Sequence, residues 1–217
     1  MPVSSSAVRC QVSIYDQYGN KPSNLYSALN AVLTRRKCFI SYHHADEIEV
    51  QKFIGTFDHY HDRFISRGIG ASMPGDIINS DNNEYIMSRI RQAYLGDSTV
   101  TIVMIGNCTW ARRYVDWELQ ASLRSGEKTT PNGLLGIKLP SFISGQYPQR
   151  LNANLLPPTR TVFTPNDCYA RVINYPRTEA ELVEGIEDAF KARTTRRDLI
   201  ANPRERFSRD LVCGYTR

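Results

Sequence analysis

The sequence predicts an α/β fold, a central parallel sheet with helices on both faces. Three observations support this. Short apolar runs at 37–42, 98–105 and 133–139 each give way to a polar segment, as buried parallel strands do at their C-terminal ends. The stretches between them space their apolar residues by three to five, the signature of amphipathic helices. Strand and helix patterns alternate through 37–139 as β-α-β-α-β-α-β, which favours parallel pairing and right-handed crossovers.

Each element has its own signals. Residues 1–35 combine a strand-like VRCQVSIYD, a turn-rich DQYGNKPSN and a helix-like LYSALNAVLTRR. No chemistry stands out there, and they read as an N-terminal extension. Lys37 to Tyr42 (KCFISY) is the first strand and breaks into the polar HHAD. A helix is expected over 46–64, with Asp46 as N-cap and Glu49 three residues later, as in a capping box. Residues 63–71 supply a second strand, and 72–83, with Met-Pro-Gly and several Asn/Asp, a loop. Helical spacing returns over 83–95 and stops at Gly96-Asp97. Ser98 to Ile105 (STVTIVMI) is the strongest strand. A helix over 109–125 follows, with Val115, Leu119 and Leu123 at successive i, i+4 positions, and then the strand GLLGIKL over 133–139. Residues 140–160 read as a long loop, 160–163 and 171–175 as short strands, and 179–193 as an amphipathic helix. The expected organisation is an extension (1–35), one α/β domain (36–195, its core motifs in 36–140) and a basic C-terminal tail (196–217).

Composition narrows the function classes. Of 217 residues, 41% are hydrophobic and 23% charged, which fits an ordinary globule and not a disordered chain. No apolar run is long enough to span a bilayer, and the start lacks a basic stretch followed by an apolar one, so neither a membrane nor a secretory signal is expected. The five cysteines are widely spaced and form no C-x-x-C. Neither a disulfide framework nor a zinc site is expected, and a reducing cytoplasm is the simplest compartment. The net charge of +5 falls wholly within residues 191–217, which hold eight Lys/Arg and three Asp/Glu. A nucleic-acid partner would rest on that tail alone, and a solvated terminal segment is the simpler expectation. No G-x-G-x-x-G, Walker A or G-x-S-x-G motif is present. His59 and His61 stand two apart on an expected helix and point away from one another, so no metal site is expected.

In an open parallel sheet, ligands bind beyond the C-terminal strand ends. Two segments of unusual composition fall at such ends: Ser41-Tyr42-His43-His44-Ala45-Asp46 after the first strand, and Gly106-Asn107-Cys108-Thr109-Trp110-Ala111-Arg112-Arg113 after STVTIVMI. On the following helix Tyr114 and Glu118 lie nearly above one another. Glu118 flanks the apolar stripe, so its carboxylate stands either at a pocket rim or in an ion pair with Arg112 or Arg113.

Together these segments resemble a known family. Lys37-Cys38-Phe39-Ile40-Ser41-Tyr42 and the polar loop through Asp46 resemble the first strand and loop of TIR domains. The stretch from Trp110 to Glu118 resembles their catalytic helix, with Tyr114-x-x-x-Glu118 where bacterial members often carry W-x-x-x-E. The intervening IGNCTWARR resembles the TIR-like subgroup of Thoeris antiphage defence that includes the ThsB proteins. The resemblance covers about residues 36–140. It implies a flavodoxin-like fold, cleavage of NAD at the nicotinamide–ribose bond with Glu118 as the catalytic carboxylate, and no cofactor, since NAD is the substrate. Phe39, Ser41, Tyr42 and His43 would line the nucleotide side. Trp110, Tyr114 and Trp117 would form walls, and Arg112 or Arg113 would meet the pyrophosphate or simply pair on the helix surface. It further implies an ADP-ribose-derived, cyclic signal to a separate effector protein, a phage-derived trigger and a homo-oligomer. The alternative class is a non-catalytic TIR-like interaction module.

Overall fold

Among the described residues the apolar runs become five strands: β1 (Arg36–Ser41), β2 (Phe64–Arg67), β3 (Val100–Ile105), β4 (Gly133–Lys138) and β5 (Arg171–Ile173). All pair in parallel, in the order β2-β1-β3-β4-β5. The computed structural model describes residues 35–60, 64–67, 82–126, 129–155, 167–203, 205 and 207–214. Helices α1 (Glu47–Ile54), α2 (Asn83–Ile90), α3 (Arg113–Ser122), α4 (Gln149–Ala153) and α5 (Glu179–Thr195) surround the sheet. This is the flavodoxin-like arrangement expected from the sequence.

The period-two alternation of a strand divides the core. Cys38 and Ile40 of β1, Val100, Ile102 and Met104 of β3, and Leu135 and Ile137 of β4 face one layer with α1 and α5. Their neighbours point the other way. Val103, Ile105 and Leu134 meet Val115 and Leu119 of α3 and Leu151 of α4. Phe39 meets Ile86 and Ile90 of α2 and Trp117 of α3. The α5 backbone comes so close to β4 that a Cβ on Gly133 would lie 1.9 Å from the Ala189 carbonyl oxygen. On the other face, buried hydroxyls of Thr101 and Ser122 lie 2.7 Å apart and tie α3 to β3.

Several expectations need correction. The helix expected over 46–64 is a 3-10 turn (His44–Asp46), α1 and a π-helical turn (Gly55–Tyr60). Asp46 stands at the N-cap position but makes no side-chain cap bond, and Glu49 accepts from the Ser141 N–H at 3.1 Å. The capping box is absent because both carboxylates serve distant loops. The helix over 83–95 changes to a π-helical turn after Ile90 and ends at Gly96 with φ 43. The helix expected over 109–125 is a 3-10 turn, Thr109–Ala111, separated from α3 by extended Arg112. The expected loop 140–160 contains α4. The expected strand at 160–163, nearly all of 1–35 and the side chains of His59 and His61 lie outside the described residues. No group of three or more His, Cys, Asp or Glu among the described residues could hold a metal, and no described helix is long and apolar enough to cross a membrane.

The cysteines also depart from expectation. Cys108 and Cys213 form a disulfide with Cα atoms 5.7 Å apart, well inside the usual range. Cys168, fully buried, is disulfide-bonded too. Spacing did not suggest the Cys108–Cys213 pair, because that pairing is made by the path of the chain after α5. That path is no free tail. Arg196 forks onto Asp188, Arg197 reaches Ser125 and Gly126, and the chain then runs back along α3.

Candidate active site

The chain leaves β1 towards β2 on one side and later returns to place β3 on the other. This switch in direction opens a crevice beyond the C-terminal ends of β1 and β3. Both segments singled out from the sequence reach it. Ser41, the last residue of β1, is in register with Val103 of β3, and α3 follows the loop after β3.

Ser41 and Phe39 are two apart on β1 and therefore face α3 together. Phe39 packs with Trp117 in the apolar layer, and Ser41 Oγ donates to Glu118 Oε2 at 2.6 Å. Glu118 is thus an acid facing the sheet next to an apolar cluster, with no basic partner among the described residues. Desolvation pushes its carboxyl up from 4.5 to about 7, and the Ser41 bond only partly opposes this. A carboxyl held near neutrality in a crevice is a functional-site signal with a physical cause. The ion pair with Arg112 or Arg113 that the spacing allowed does not form.

The crevice loops are fastened to one another. Asp46 is 4% exposed. Its carboxylate lies under Gly106, where a Cβ would sit 2.1 Å from Oδ2. Thr109 Oγ1 accepts from the Gly106 N–H at 2.8 Å and stands 3.4 Å from Asp46 Oδ2. This latch joins the loop after β1 to the loop after β3. Asn107 extends it, donating to Ser141 O and accepting from the Ile143 N–H. The sequence signals were an Asp five residues past Ser41 and a Gly-Asn-x-Thr after β3, but nothing local paired them.

The other site residues named from the sequence fall in three places. Phe39 and Trp117 are core residues, 1% and 2% exposed, and Trp117 Nε1 donates to Phe207 O. They shape the crevice from beneath, since no face of either is open to a ligand here. Tyr114 is part-exposed one turn before Glu118 and meets Trp117 edge-on. Tyr42 packs against the α1/α5 layer, on the opposite face from Ser41. His43 is buried with its ring against His44. Arg112 pairs with Asp210 and donates to Leu211 O. Arg113 donates to Ser208 O and Tyr114 Oη, and its guanidinium lies over the Tyr114 ring. Trp110 lines a separate cleft of about 260 Å³ with Gln146, Tyr147, Gln149, Asn152, Phe207 and Leu211. Neither Ser41 nor Glu118 lines it.

Residues 39–142 match the family model described as Thoeris protein ThsB, TIR-like domain. No curated protein matches the chain significantly. The matched span runs from the middle of β1 to just beyond β4 and holds Ser41, Glu118 and both halves of the latch. Residues 39–142, just under half of the chain, are thus similar to the TIR-like domain of the Thoeris ThsB family.

Proposed function

We propose that this domain cleaves NAD at the nicotinamide–ribose bond and forms a cyclic ADP-ribose-derived signal that activates a separate effector protein. The reading rests on one observation above others. Glu118 faces Ser41 at the β1/β3 switch, desolvated and without a basic partner among the described residues.

The chemistry suits that carboxyl. When the glycosidic bond breaks, its electron pair goes to the pyridinium nitrogen and nicotinamide leaves as a neutral molecule. The ribose carbon left behind has oxocarbenium character. An adjacent carboxylate stabilises that charge and accepts hydrogen bonds from ribose hydroxyls, as in glycoside hydrolysis. Ser41 holds one oxygen of Glu118, leaving the other for substrate. The ionised form does this work, and a carboxyl raised only to about 7 can still supply it at neutral pH. The positive nicotinamide ring of bound NAD favours that form further. Water attack gives ADP-ribose and a proton. Attack by an adenine nitrogen or a hydroxyl of the same molecule closes a ring, provided water is kept out.

The test expresses wild type and Glu118→Gln in a bacterial host, challenges both with phages and analyses small molecules by mass spectrometry. The expected result is an ADP-ribose-type species in infected wild type alone. Loss of NAD without such a species would indicate depletion in place of signalling. Product from a folded Glu118→Gln protein would remove Glu118 from the mechanism. Partner capture that survives Glu118→Gln, with no turnover of NAD, would favour an interaction module.

A further inference from the structure

The chain after α5 is held to α3 in two unlike ways. Through residue 207 the contacts are buried. Arg150, 3% exposed, lies 2.7 Å from Asp116 Oδ1 and donates to Asn202 Oδ1 and Pro203 O. Asn154 exchanges hydrogen bonds with Ala201. Phe207 is fixed at both ends of its backbone, its N–H donating to Asp116 Oδ2 and its carbonyl accepting from Trp117 Nε1. Beyond residue 207 the contacts are exposed. Asp210 accepts from the Arg113 N–H, at the start of α3, and pairs with Arg112. The Leu211 N–H donates to Ala111 O. Exposed pairs of this kind hold a segment weakly. The covalent tie is Cys108–Cys213, and Val212 beside it is 91% exposed.

We infer that the Cys108–Cys213 disulfide is a redox-operated fastener. It keeps residues 208–213 on the first turn of α3 and so orders the start of the helix that carries Glu118. The fastener stands on the geometry of the strap alone, the strap being the chain after α5 that runs back along α3. Its consequence for turnover rests on the NAD-cleaving reading.

Solvent-accessible disulfides are the ones open to exchange; Cys108 and Cys213 are both half-buried, whereas Cys168 is fully buried. Closure starts from two thiols and a low-molecular-weight disulfide. One cysteine thiolate attacks that disulfide and expels one thiolate. The second cysteine thiolate attacks the mixed disulfide and expels the other. Two protons are lost in all, and a dithiol reverses the sequence. When the tie is open, Asp210 leaves the first turn of α3, and the amides around Arg113 lose their acceptor.

The test is amide hydrogen exchange of the full chain, oxidised, dithiothreitol-reduced and as Cys213→Ser, with NAD turnover measured alongside. Cys213→Ser opens this disulfide without touching Cys168. Exchange at least several-fold faster in 108–116 and 208–213, with 196–207 unchanged, is expected for both the reduced protein and the variant. Oxidised glutathione should restore slow exchange to reduced wild type and not to Cys213→Ser. Equal exchange in all three samples would overturn the fastener, and so would loosening spread evenly through 196–213. A several-fold fall in turnover in step with exchange carries the fastener through to Glu118. Altered exchange with constant turnover removes that consequence. Altered exchange with no turnover in any sample counts against the NAD-cleaving reading and leaves the fastener standing.

Discussion

Replacing Glu118 by Gln should make the protein more stable and inactive, and the stability gain should depend on pH. The Glu118 carboxyl ionises near 4.5 in an unfolded chain and at about 7 in the fold, so the fold holds this proton more tightly. Below 4.5 both states are protonated and the burial of Glu118 carries no ionisation penalty. As pH rises from 4.5 to 7, the unfolded chain gains the ionised form first and stability falls. Above 7 both states are ionised and the loss is complete and constant. At about 1.4 kcal/mol per pH unit, that interval is worth about 3 kcal/mol. Gln keeps the shape and an oxygen for the Ser41 hydroxyl but carries no charge. Its amide N–H groups need partners that a carboxylate does not, so a gain of about 1 to 3 kcal/mol at pH 8 is expected. For a chain of this size that is roughly 3 to 10 °C in Tm. Thermal melts of wild type and Glu118→Gln at pH 5 and pH 8 make the comparison. A gain that is large at pH 8 and small at pH 5, with turnover lost, is expected. A gain equal at both pH values, or a variant less stable at pH 8, would refute the claim that an ionised carboxylate is held at a cost.

Three further predictions concern the surroundings of that carboxyl. Ser41→Ala removes a 2.6 Å bond to the charged form, worth about 1.5 to 3 kcal/mol. The rising limb of the pH–turnover profile should move alkaline by about one to two pH units, and an unmoved limb would separate Ser41 from the titration. Gly106→Ala places a Cβ 2.1 Å from Asp46 Oδ2 and should cost about 1 to 3 kcal/mol in urea unfolding. Adding Asp46→Ala should recover part of that loss, whereas simple additivity would contradict the latch. Asp116→Ala leaves Arg150 buried beside no carboxylate and should cost about 3 to 5 kcal/mol. A loss below about 1 kcal/mol would show that the pair is not the hub of the strap.

The sheet was legible because its information is local. STVTIVMI and KCFISY fix strand and facing by alternation, and α3 fixes its buried stripe through Val115, Leu119 and Leu123. Boundaries were less legible wherever a distant group took over a terminal bond. Asp46 looked like a helix cap because Glu49 follows it by three, yet Gly106 and Thr109 claim its carboxylate across 60 or more residues. Arg112 breaks the expected helix because Asp210, nearly a hundred residues later, accepts the Arg113 N–H at the new start of α3. The short α4 was hidden in a stretch rich in Pro, Asn and Gln, and its Arg150 is held by α3 and the strap rather than by any local pattern.

The same division explains what was visible of the site. Period two on β1 puts Phe39 and Ser41 on one face, and the helical turn puts Trp117 and Glu118 side by side on α3. Docking those two faces brings Ser41 to Glu118 and Phe39 to Trp117 in one step, so the acid–hydroxyl pair and the apolar floor beneath it share a cause. The arginines followed no such rule. On α3, Arg113 lies about 140° from Glu118, away from the sheet, and a cation there is drawn to whatever backbone and carboxylate the returning chain supplies. That chain supplies Ser208, Asp210 and Leu211. The face of α3 that touches the sheet therefore holds the acid near neutrality, while the opposite face is fixed by the strap. A change in either face acts on one rigid helix, which is why stability and turnover should respond together to substitutions that never touch Glu118.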